Sequence, residues 1–346
     1  MKSIQVYTFI ILVFSFYQCT TLPEQKHLVA FYNLENLFDT INDPGIWDGE
    51  FTPEGSKKWD TQKYTSKINN MSKVIAQIGE DIELNAPDII GLCEVENRQV
   101  IHDLIKTTPL KKFNFEIIHK DSPDKRGIDV ALLYKKTAFK EICSSWHPLN
   151  IYDADSGNRI HTRDQLLVTG ILKKDTIHII VNHWPSRYGG KQRSIPHRKA
   201  AASLNRSIID SLLRINAKAK ILTMGDFNDN PNDQSIITFL NAQANCNFSS
   251  HYELYNPLAK TYKQGMGTLY YRGGWDLFDQ IIISESLCKN KGKGLQMDTA
   301  GIFNKPFLIQ QNGKFKGNLH RTYGGKTYLN GYSDHLPVYM VLKARE

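Results

Sequence analysis

Short polar clusters follow or end apolar runs at several places along this chain. They contain acids, amides and histidines, and they lie at Asn33-Leu34-Glu35, Glu94-Val95-Glu96-Asn97, His183-Trp184-Pro185-Ser186-Arg187, Gly225-Asp226-Phe227-Asn228, Asp279 and Ser333-Asp334-His335. The ends of apolar strands are where α/β sheets present functional groups. Any one cluster alone is better explained as a turn or a helix cap, so the candidate chemistry depends on all of them together.

These residue types suit the hydrolysis of a phosphoester. That reaction must stabilise extra negative charge at phosphorus, supply hydroxide in line and help an alkoxide to leave. Mg²⁺ prefers hard oxygen ligands, and Glu94 at the end of a buried strand suits that role. Asp226 and Asn228 stand two apart, so on an extended segment both project to one side. One can orient and deprotonate the attacking water while the other donates a hydrogen bond to the phosphorus oxygens.

The hydrophobic pattern predicts the elements that position these residues. Apolar residues at steps of three and four predict helices over Tyr64–Glu80 and Arg198–Ile215. Strands are predicted at His27–Tyr32, Asp88–Val95, Phe113–His119, Asp129–Tyr134, Gln165–Leu172, Thr176–His183, Lys220–Phe227, Phe278–Ser284 and Pro337–Leu342. Because several strands are apolar at consecutive positions, both of their faces should be buried, by helices outside and another sheet inside. One α/β domain over residues 27–346 is the simplest organisation.

In this order the clusters resemble the motifs of the endonuclease/exonuclease/phosphatase superfamily, the fold of deoxyribonuclease I, exonuclease III, neutral sphingomyelinases and inositol-polyphosphate 5-phosphatases. The resemblance runs from about His27 to Leu342, and Ser-Asp-His at 333–335 and Gly-Asp-Phe-Asn at 225–228 are its most diagnostic parts. It implies a four-layered sandwich with two mixed sheets face to face and helices outside. It also implies metal-dependent hydrolysis of a phosphoester at one edge.

The resemblance further implies a set of metal-binding residues. Glu94 occupies the position of the family's metal-binding glutamate, and Asp334 is expected to be a second ligand or a support for the first. Glu35 stands where several relatives have aspartate and is a further candidate ligand. Asn33 is expected to help order the metal and its phosphate. The expected cofactor is Mg²⁺, with Mn²⁺ or Ca²⁺ as alternatives.

The catalytic set implied by the resemblance adds two histidines and an aspartate to Asp226 and Asn228. Asp279 is expected to hold one ring nitrogen of His335, which fixes the tautomer so that the other nitrogen addresses phosphate. His183 matches the histidine of the deoxyribonuclease I and sphingomyelinase branches.

Two arginines are candidates for binding the substrate. Arg126 opens a predicted strand, where its guanidinium can grip a phosphate with two hydrogen bonds; the alternative is a salt bridge to Asp129. Arg187 belongs to an arginine-rich segment that extends to Arg198. The electropositive rim is expected to continue through Arg163, Arg187, Arg193 and Arg198.

The composition restricts the class of protein and of partner. Over 346 residues, 41% hydrophobic and 23% charged residues are ordinary for a globular protein and exclude disordered, collagen-like and low-complexity classes. The net charge of +8 favours a polyanionic partner such as nucleic acid, a phosphorylated metabolite or an anionic lipid head group. Many soluble proteins are basic without binding anions, so charge alone decides nothing.

The N-terminal segment predicts export. In residues 1–18, Lys2 is followed by an apolar run over 6–17, the layout of a secretory signal peptide. Cys19 directly after this run resembles a bacterial lipobox, which predicts a lipidated N-terminus and a tether over residues 19–26. The protein is therefore expected to be a periplasmic, outer-membrane or cell-surface lipoprotein, or secreted. It is expected to touch membrane only through the lipid at Cys19 and to be a monomer.

The remaining cysteines do not indicate a metal site. Their wide spacing fits no zinc pattern, so no zinc site is predicted, and any disulfide pairing stays open for Cys93, Cys143, Cys246 and Cys288. Cys93, in a strongly apolar stretch, is interpreted as a small buried hydrophobic residue.

The function predicted from these features is that of an exported, Mg²⁺-dependent nuclease that cleaves the P–O3′ bond of DNA or RNA and leaves a 5′-phosphate. An alternative is a phosphodiesterase or phosphatase acting on lipid head groups, as sphingomyelinases do, or on inositol phosphates. The segment WDLFDQIII lacks the Trp-Cys-Asp-Arg signature of inositol 5-phosphatases, and no apolar hairpin for entering a bilayer is evident. A non-catalytic binding protein is disfavoured because the acids, the amide and the histidines are all present.

Overall fold

The computed structural model describes residues 25–288 and 294–345. The predicted signal peptide over 1–18 and Cys19 lie outside the described residues, and so does the tether up to residue 24. The first strand begins at Lys26, one residue before the predicted domain. No helix in the described part of the chain has both the length and the apolar character needed to cross a membrane.

Strands make up most of the regular structure and build two large sheets. Numbered in chain order, they are β1 (Lys26–Leu37), β2 (Ile89–Val95), β3 (Phe115–His119), β4 (Asp129–Lys135), β5 (Phe139–His147), β6 (Ile151–Tyr152), β7 (Arg159–Ile160), β8 (Gln165–Leu172), β9 (Asp175–His183), β10 (Lys220–Asp226), β11 (Ala242–Gln243), β12 (Leu254–Tyr255), β13 (Leu269–Tyr271), β14 (Gly274–Asp276), β15 (Asp279–Ser284), β16 (Gly294–Ile302), β17 (Tyr323–Gly324), β18 (Thr327–Tyr328) and β19 (Val338–Arg345). The first sheet has the order β16-β19-β1-β2-β4-β3, and the second has the order β11-β12-β15-β10-β9-β8-β5. Since β1 is parallel to β2 and antiparallel to β19, and β10 is parallel to β9 and antiparallel to β15, both sheets are mixed.

The longer helices lie on the outer faces of the two sheets. The helices are α1 (Thr61–Gln77), α2 (Arg98–Lys106), α3 (Thr108–Lys111), α4 (Lys191–Ile215) and α5 (Ala259–Lys263), with short 3₁₀ turns at Gly49–Phe51, Glu80–Ile82, Glu285–Leu287 and Pro306–Leu308 and a π-helical turn at Ser235–Phe239. Helix α1 begins at an Asp60 cap whose side chain accepts the Lys63 amide hydrogen. Such a cap satisfies one of the backbone donors that a helix leaves unpaired at its start.

Successive side chains of a buried strand point to opposite faces of its sheet, and this alternation divides the apolar interior into layers. Val29 and Phe31 of β1 belong to the core between the two sheets, whereas Ala30 and Tyr32 belong to the core between the first sheet and α1. Ile209 of α4 belongs to a third core, on the outer face of the second sheet. The result is the predicted four-layered sandwich, with helices outside and two sheets inside. Cys93 is fully buried in the core between the sheets, as predicted.

The nine predicted strands are all present, within five residues of their predicted bounds, but ten further strands were not predicted. Eight of these ten have only two or three residues, and the two long ones are β5 and β16, each at the edge of its sheet. An edge strand buries little apolar surface and carries polar residues, and most of β5 is exposed or half-buried. The hydrophobic pattern that reveals a central strand is therefore weak in both.

Helix α4 begins at Lys191, seven residues before the predicted start at Arg198. The predicted start was wrong, since the helix already includes Pro196. Pro196 removes a single backbone hydrogen bond, and the long apolar face of α4 offsets that loss.

One glycine fixes the contact between the two strands that lead into the polar clusters. A Cβ atom at Gly225 of β10 would lie 2.3 Å from the backbone oxygen of Asn182 in β9. We expect Gly225→Ala to lower the free energy of unfolding by about 3 kcal/mol, because the two strands must separate to admit the methyl group.

Chemical denaturation followed by circular dichroism measures this loss. The control is Gly274→Ala in the short hairpin β13–β14, where the nearest atom to the new Cβ is 3.9 Å away. Equal stability of the two variants would contradict the close approach of β9 and β10.

Candidate active site

The polar clusters meet at one edge of the sandwich because of strand direction. The parallel strands β1 and β2 end at this edge with Asn33 and Glu94 near their carboxyl ends. In the second sheet, Asp226 of β10 pairs in register with His183 of β9 and with Asp279, the first residue of the antiparallel β15. The chain then enters β19 in the first sheet from the same edge, immediately after Ser333-Asp334-His335.

The backbone around the site is held in an unusual conformation. Glu35, Asn36, Glu94 and Asn228 all have positive φ angles, of 50°, 52°, 59° and 50°. At Glu94 this accompanies a bulge in the pairing of β2 with both neighbouring strands. Such bulges aim a side chain away from the regular pleat, and Oε2 of Glu94 here accepts the backbone N–H of Asn36 at 2.9 Å.

The carboxylate of Asp226 is the centre of the cluster. Its Oδ2 accepts a hydrogen bond from the amide of Asn33 at 3.1 Å, and its Oδ1 accepts the backbone N–H of Asn228 at 2.9 Å. The Nε2 atoms of His183 and His335 lie 3.7 and 3.9 Å from Oδ2. Four predicted site residues from both sheets therefore surround a fifth.

Burial is the main reason that Asp226 holds its proton unusually tightly. Its carboxylate is out of contact with bulk water, and the negative charges of Asp279 and Glu94 add to the effect, although His335 opposes it. Together these influences raise the pKa of Asp226 to about 7. A carboxyl group with that pKa can take up or release a proton near neutral pH, as a general base requires.

The predicted pairing of His335 with Asp279 is present. Nδ1 of His335 lies 2.6 Å from Oδ2 of Asp279, and both side chains are buried. Burial alone would lower the pKa of His335, but the charge and hydrogen bond of Asp279 outweigh burial and raise the pKa well above its ordinary value. The raised pKa favours the imidazolium form of His335, and its Nε2 faces the centre of the site.

The pKa of His183, the second histidine, is shifted in the opposite direction, which favours the neutral imidazole. Burial, followed by the positive charges of Arg163 and Arg126, lowers the pKa of His183 well below its ordinary value. Its Nε2 lies 3.8 Å from Oε1 of Glu94. A neutral His183 can thus contact a phosphate or a metal-bound ligand without adding charge to the site.

The donor set at this edge fits a divalent cation. Glu94 and Asp226 provide carboxylate oxygens, which are the ligands that Mg²⁺ prefers. Positive charge close to these acids would oppose the burial and the repulsion that together raise the pKa of Asp226. Asp226, Asp279 and His335 also place one potential ligand atom each within 4.8 Å of one another, but the close His335–Asp279 contact uses two of these groups.

Glu35 and Asp334 lie beside the site in an ion-pair cluster. Arg321 bridges the two acids: its Nε is 3.1 Å from Oε1 of Glu35, and its Nη2 contacts Asp334. Oε2 of Glu35 accepts the backbone N–H of Thr322 at 2.8 Å and lies 3.7 Å from Nζ of Lys67. Since donors already occupy both oxygens of Glu35, metal ligation by Glu35 stays a prediction, and so does ligation by Asp334.

Arg126 is half exposed near the site. Its Nε lies 3.8 Å from Asp124, and the alternative salt bridge to Asp129 is absent, because Asp129 contacts His119 at 3.1 Å. The effect of Arg126 on the pKa of His183 indicates that its charge reaches the site. An exposed guanidinium in this position is available to a phosphate.

Arg187 is held by acids instead of being free for substrate. Its Nη2 lies 3.0 Å from Asp233 and 3.3 Å from Asp229, and its guanidinium stacks on the Phe278 ring at 4.4 Å. Its Nε donates to the backbone oxygen of Asn228 at 2.9 Å. These contacts brace the segment after Asp226, and substrate binding by Arg187 stays a prediction.

Two cations near the site, Lys67 and Arg321, were not identified from the sequence, whereas Arg163 was expected to belong to the electropositive rim. Arg163 is buried, pairs with Asp124 at 2.8 Å and donates to the backbone oxygen of Trp184. Lys67 is buried on α1. It stands four residues before Met71, so helical spacing alone places it on the apolar face and could have indicated a buried lysine. Arg321 lies in a loop without any periodic pattern, so nothing in the sequence marked it.

A four-layered α/β sandwich with acids and imidazoles at one edge of its sheets is the fold of the endonuclease/exonuclease/phosphatase superfamily, whose members are generally phosphoester hydrolases. The chain belongs to the Endonuclease/Exonuclease/phosphatase family, whose sequence model matches residues 28–344. A search of the curated proteins found no match.

Solved structures show the same fold at low sequence identity. An endonuclease/exonuclease/phosphatase family protein from Bacteroides thetaiotaomicron is 16% identical, with a TM-score of 0.54 over 93% of this chain and 99% of that chain. Truncated Caenorhabditis elegans TDP2 is 15% identical, with a TM-score of 0.52 over 92% of this chain and 98% of that chain. D. rerio TDP2 complexed with a single-strand DNA product is 12% identical, with a TM-score of 0.53 over 92% and 99%.

The charge of His335 provides a test of the site. In Asp279→Asn we expect the pKa of His335 to fall, because the charge that offsets burial is lost. The imidazolium is then lost at lower pH than in the unmodified protein. Nuclear magnetic resonance of ¹⁵N-labelled histidines in metal-free protein measures the titration.

Asp334→Asn is the matched comparison, because Asp334 makes a smaller contribution to the same pKa. A smaller downward shift is expected in that variant. If His335 titrates unchanged in Asp279→Asn, the charge assigned to this pair is wrong.

Proposed function

We propose that the protein is a divalent-cation-dependent phosphodiesterase whose substrate is nucleic acid. One observation carries the proposal: His183, Asp226 and His335, from distant parts of the chain, converge at distances of 3.7 and 3.9 Å around one carboxylate. Glu94 lies next to them, 3.8 Å from His183. This arrangement combines a base, a cationic hydrogen-bond donor and a carboxylate for a metal in one cleft.

Asp226 acts as the general base. Its pKa of about 7 lets it accept a proton from the attacking water near neutral pH. Hydrogen bonds from Asn33 and from the backbone of Asn228 fix the plane of the carboxylate, so that it meets the water in one orientation.

His335 stabilises the charge that develops on the phosphate. Asp279 holds Nδ1, which leaves the Nε2–H of the imidazolium to donate to a phosphoryl oxygen. The neutral His183 provides a second contact on the side of Glu94. A Mg²⁺ ion held by Glu94, when bound, supplies positive charge that polarises the phosphoryl oxygens.

The surroundings of the site favour nucleic acid. The net charge is +8, and Arg126 extends from the rim with its side chain about half exposed. A cavity of about 310 Å³ beside Asp334 is lined by Tyr270, Tyr271 and Arg272 of the β13–β14 hairpin and by Arg321. Aromatic rings stack on bases and arginines bind phosphates, so this cavity suits nucleotides next to the scissile bond. A neighbour in fold, D. rerio TDP2, carries a single-strand DNA product in its structure.

A substrate panel tests the proposal. Supercoiled plasmid, single-stranded DNA and RNA are offered with Mg²⁺, each with an EDTA control, beside sphingomyelin and an inositol phosphate. We expect cleavage of a nucleic acid that leaves a 5′-phosphate and stops in EDTA. Release of choline phosphate or inorganic phosphate alone would assign the site to lipid or inositol substrates. If no substrate is cleaved, the proposed activity is refuted.

Asp226→Asn tests the assignment of the base. We expect kcat to fall about 10³-fold, because the amide cannot accept the proton of the water. The matched control is Glu80→Gln, an exposed acid ahead of the start of β2, at the opposite edge of the sheet. It should keep full activity, and undiminished turnover by Asp226→Asn would assign the base to another residue.

A further inference from the structure

A second group of acids lies away from the Asp226 site, where the segment after β1 meets the end of β2. Asp43, Asp48 and Glu96 place one carboxylate oxygen each within 4.8 Å of one another, and Asp39 adjoins them. We call these four residues the loop acidic cluster. It shares no residue with the proposed active site.

The most buried member of this cluster has an oxygen without a partner. Asp48 is completely buried, and its Oδ2 accepts the backbone N–H of Asp43 at 2.8 Å. Its Oδ1 is buried too, and no donor in the described part of the chain reaches it. Leaving a carboxylate oxygen dry and unpaired is costly, so the geometry calls for a bound positive charge.

The protein itself does not supply that charge. Within residues 25–288 and 294–345, no lysine or arginine forms an ion pair with any member of the loop acidic cluster. The hydrogen bonds that Asp39 and Glu96 accept come from the uncharged Ile41 and Asp39 backbone amides and from the Asn97 side chain. Several carboxyl groups are thus brought together in a mostly buried place, and no lysine or arginine of the described residues pairs with them.

We propose that Asp43, Asp48 and Glu96 form a second divalent-cation site, and that its ion is Ca²⁺. The ligand atoms are all carboxylate oxygens, which hard cations prefer. Mg²⁺ keeps several of its waters, whereas Ca²⁺ readily takes a larger number of protein oxygens in flexible geometry. A loop that supplies several carboxylates to one buried point suits Ca²⁺ better.

An ion at this place would fasten the loop that supports the active site. The backbone N–H of Asp39 donates to Glu96 at 2.6 Å, and three residues earlier the N–H of Asn36 donates to Glu94. The ring of Phe38, between these contacts, stacks on Phe51 at 4.5 Å. Binding at the loop acidic cluster therefore holds the strand end that orients Glu94. The inference does not depend on the proposed function.

Terbium luminescence tests the site directly. Tb³⁺ substitutes for Ca²⁺ and emits when a nearby tryptophan is excited, and Trp47 precedes Asp48 in the chain. The metal-free full chain is titrated with Tb³⁺ in a Glu94→Gln background, which weakens binding at the proposed active site. We expect a saturable signal that Ca²⁺ displaces.

Asp43→Asn in that background should weaken Tb³⁺ binding at least about tenfold, because a charged ligand is removed. Asp48→Asn should weaken binding in the same way. Asp48 is buried, so its substitution can impair folding, whereas Asp43 is partly exposed and Asp43→Asn keeps the test valid in that case. Asp155→Asn, an acid with an 80% exposed side chain, is the control and should bind as the background does. Unchanged binding in Asp43→Asn overturns the site. Displacement by Mg²⁺ at the same concentration as by Ca²⁺ overturns the assignment of the ion.

Discussion

The hydrogen bond from Asn33 to Asp226 joins the two sheets at the edge where the site lies. Asn33 belongs to the first sheet and Asp226 to the second, and their side-chain atoms are 3.1 Å apart and buried. A polar contact in such a place is stable only if the apolar faces of both sheets pack closely beneath it. The site therefore depends on the inter-sheet core, and a shift of one sheet against the other would separate the base from the residues that orient it.

Burial then determines the charge of each group. The same low-dielectric surroundings raise the pKa of Asp226, lower that of His183 and would lower that of His335 if Asp279 were absent. Two histidines a few ångströms from one carboxylate thus carry different charges, because one has a buried acid on its ring and the other has arginines nearby. The division of roles between base and cationic donor follows from these neighbours.

The left-handed backbone conformations at the site cost free energy, which packing in the rest of the fold offsets. Left-handed conformations at Glu35, Asn36, Glu94 and Asn228 cost on the order of 1 kcal/mol each or more. The long buried strands on either side, and hydrogen bonds such as that from Asn36 to Glu94, hold these residues in place. Clusters of strained residues are characteristic of functional sites, where side chains must leave the regular pleat.

The sequence by itself determined the buried strands, the helices on the outer faces and the order of polar clusters, because hydrophobic periodicity and strand-end chemistry are local properties. It indicated Glu94, Asp226 and His335 because the polar clusters, taken together and in order, resemble the motifs of the family. The tertiary structure alone decided that Glu35 is bound by Lys67 and Arg321, that Arg187 is held by acids, and that Asp48 lies buried beside Asp43 and Glu96. Those contacts join segments far apart in the chain, and no local pattern records which charges will be buried together.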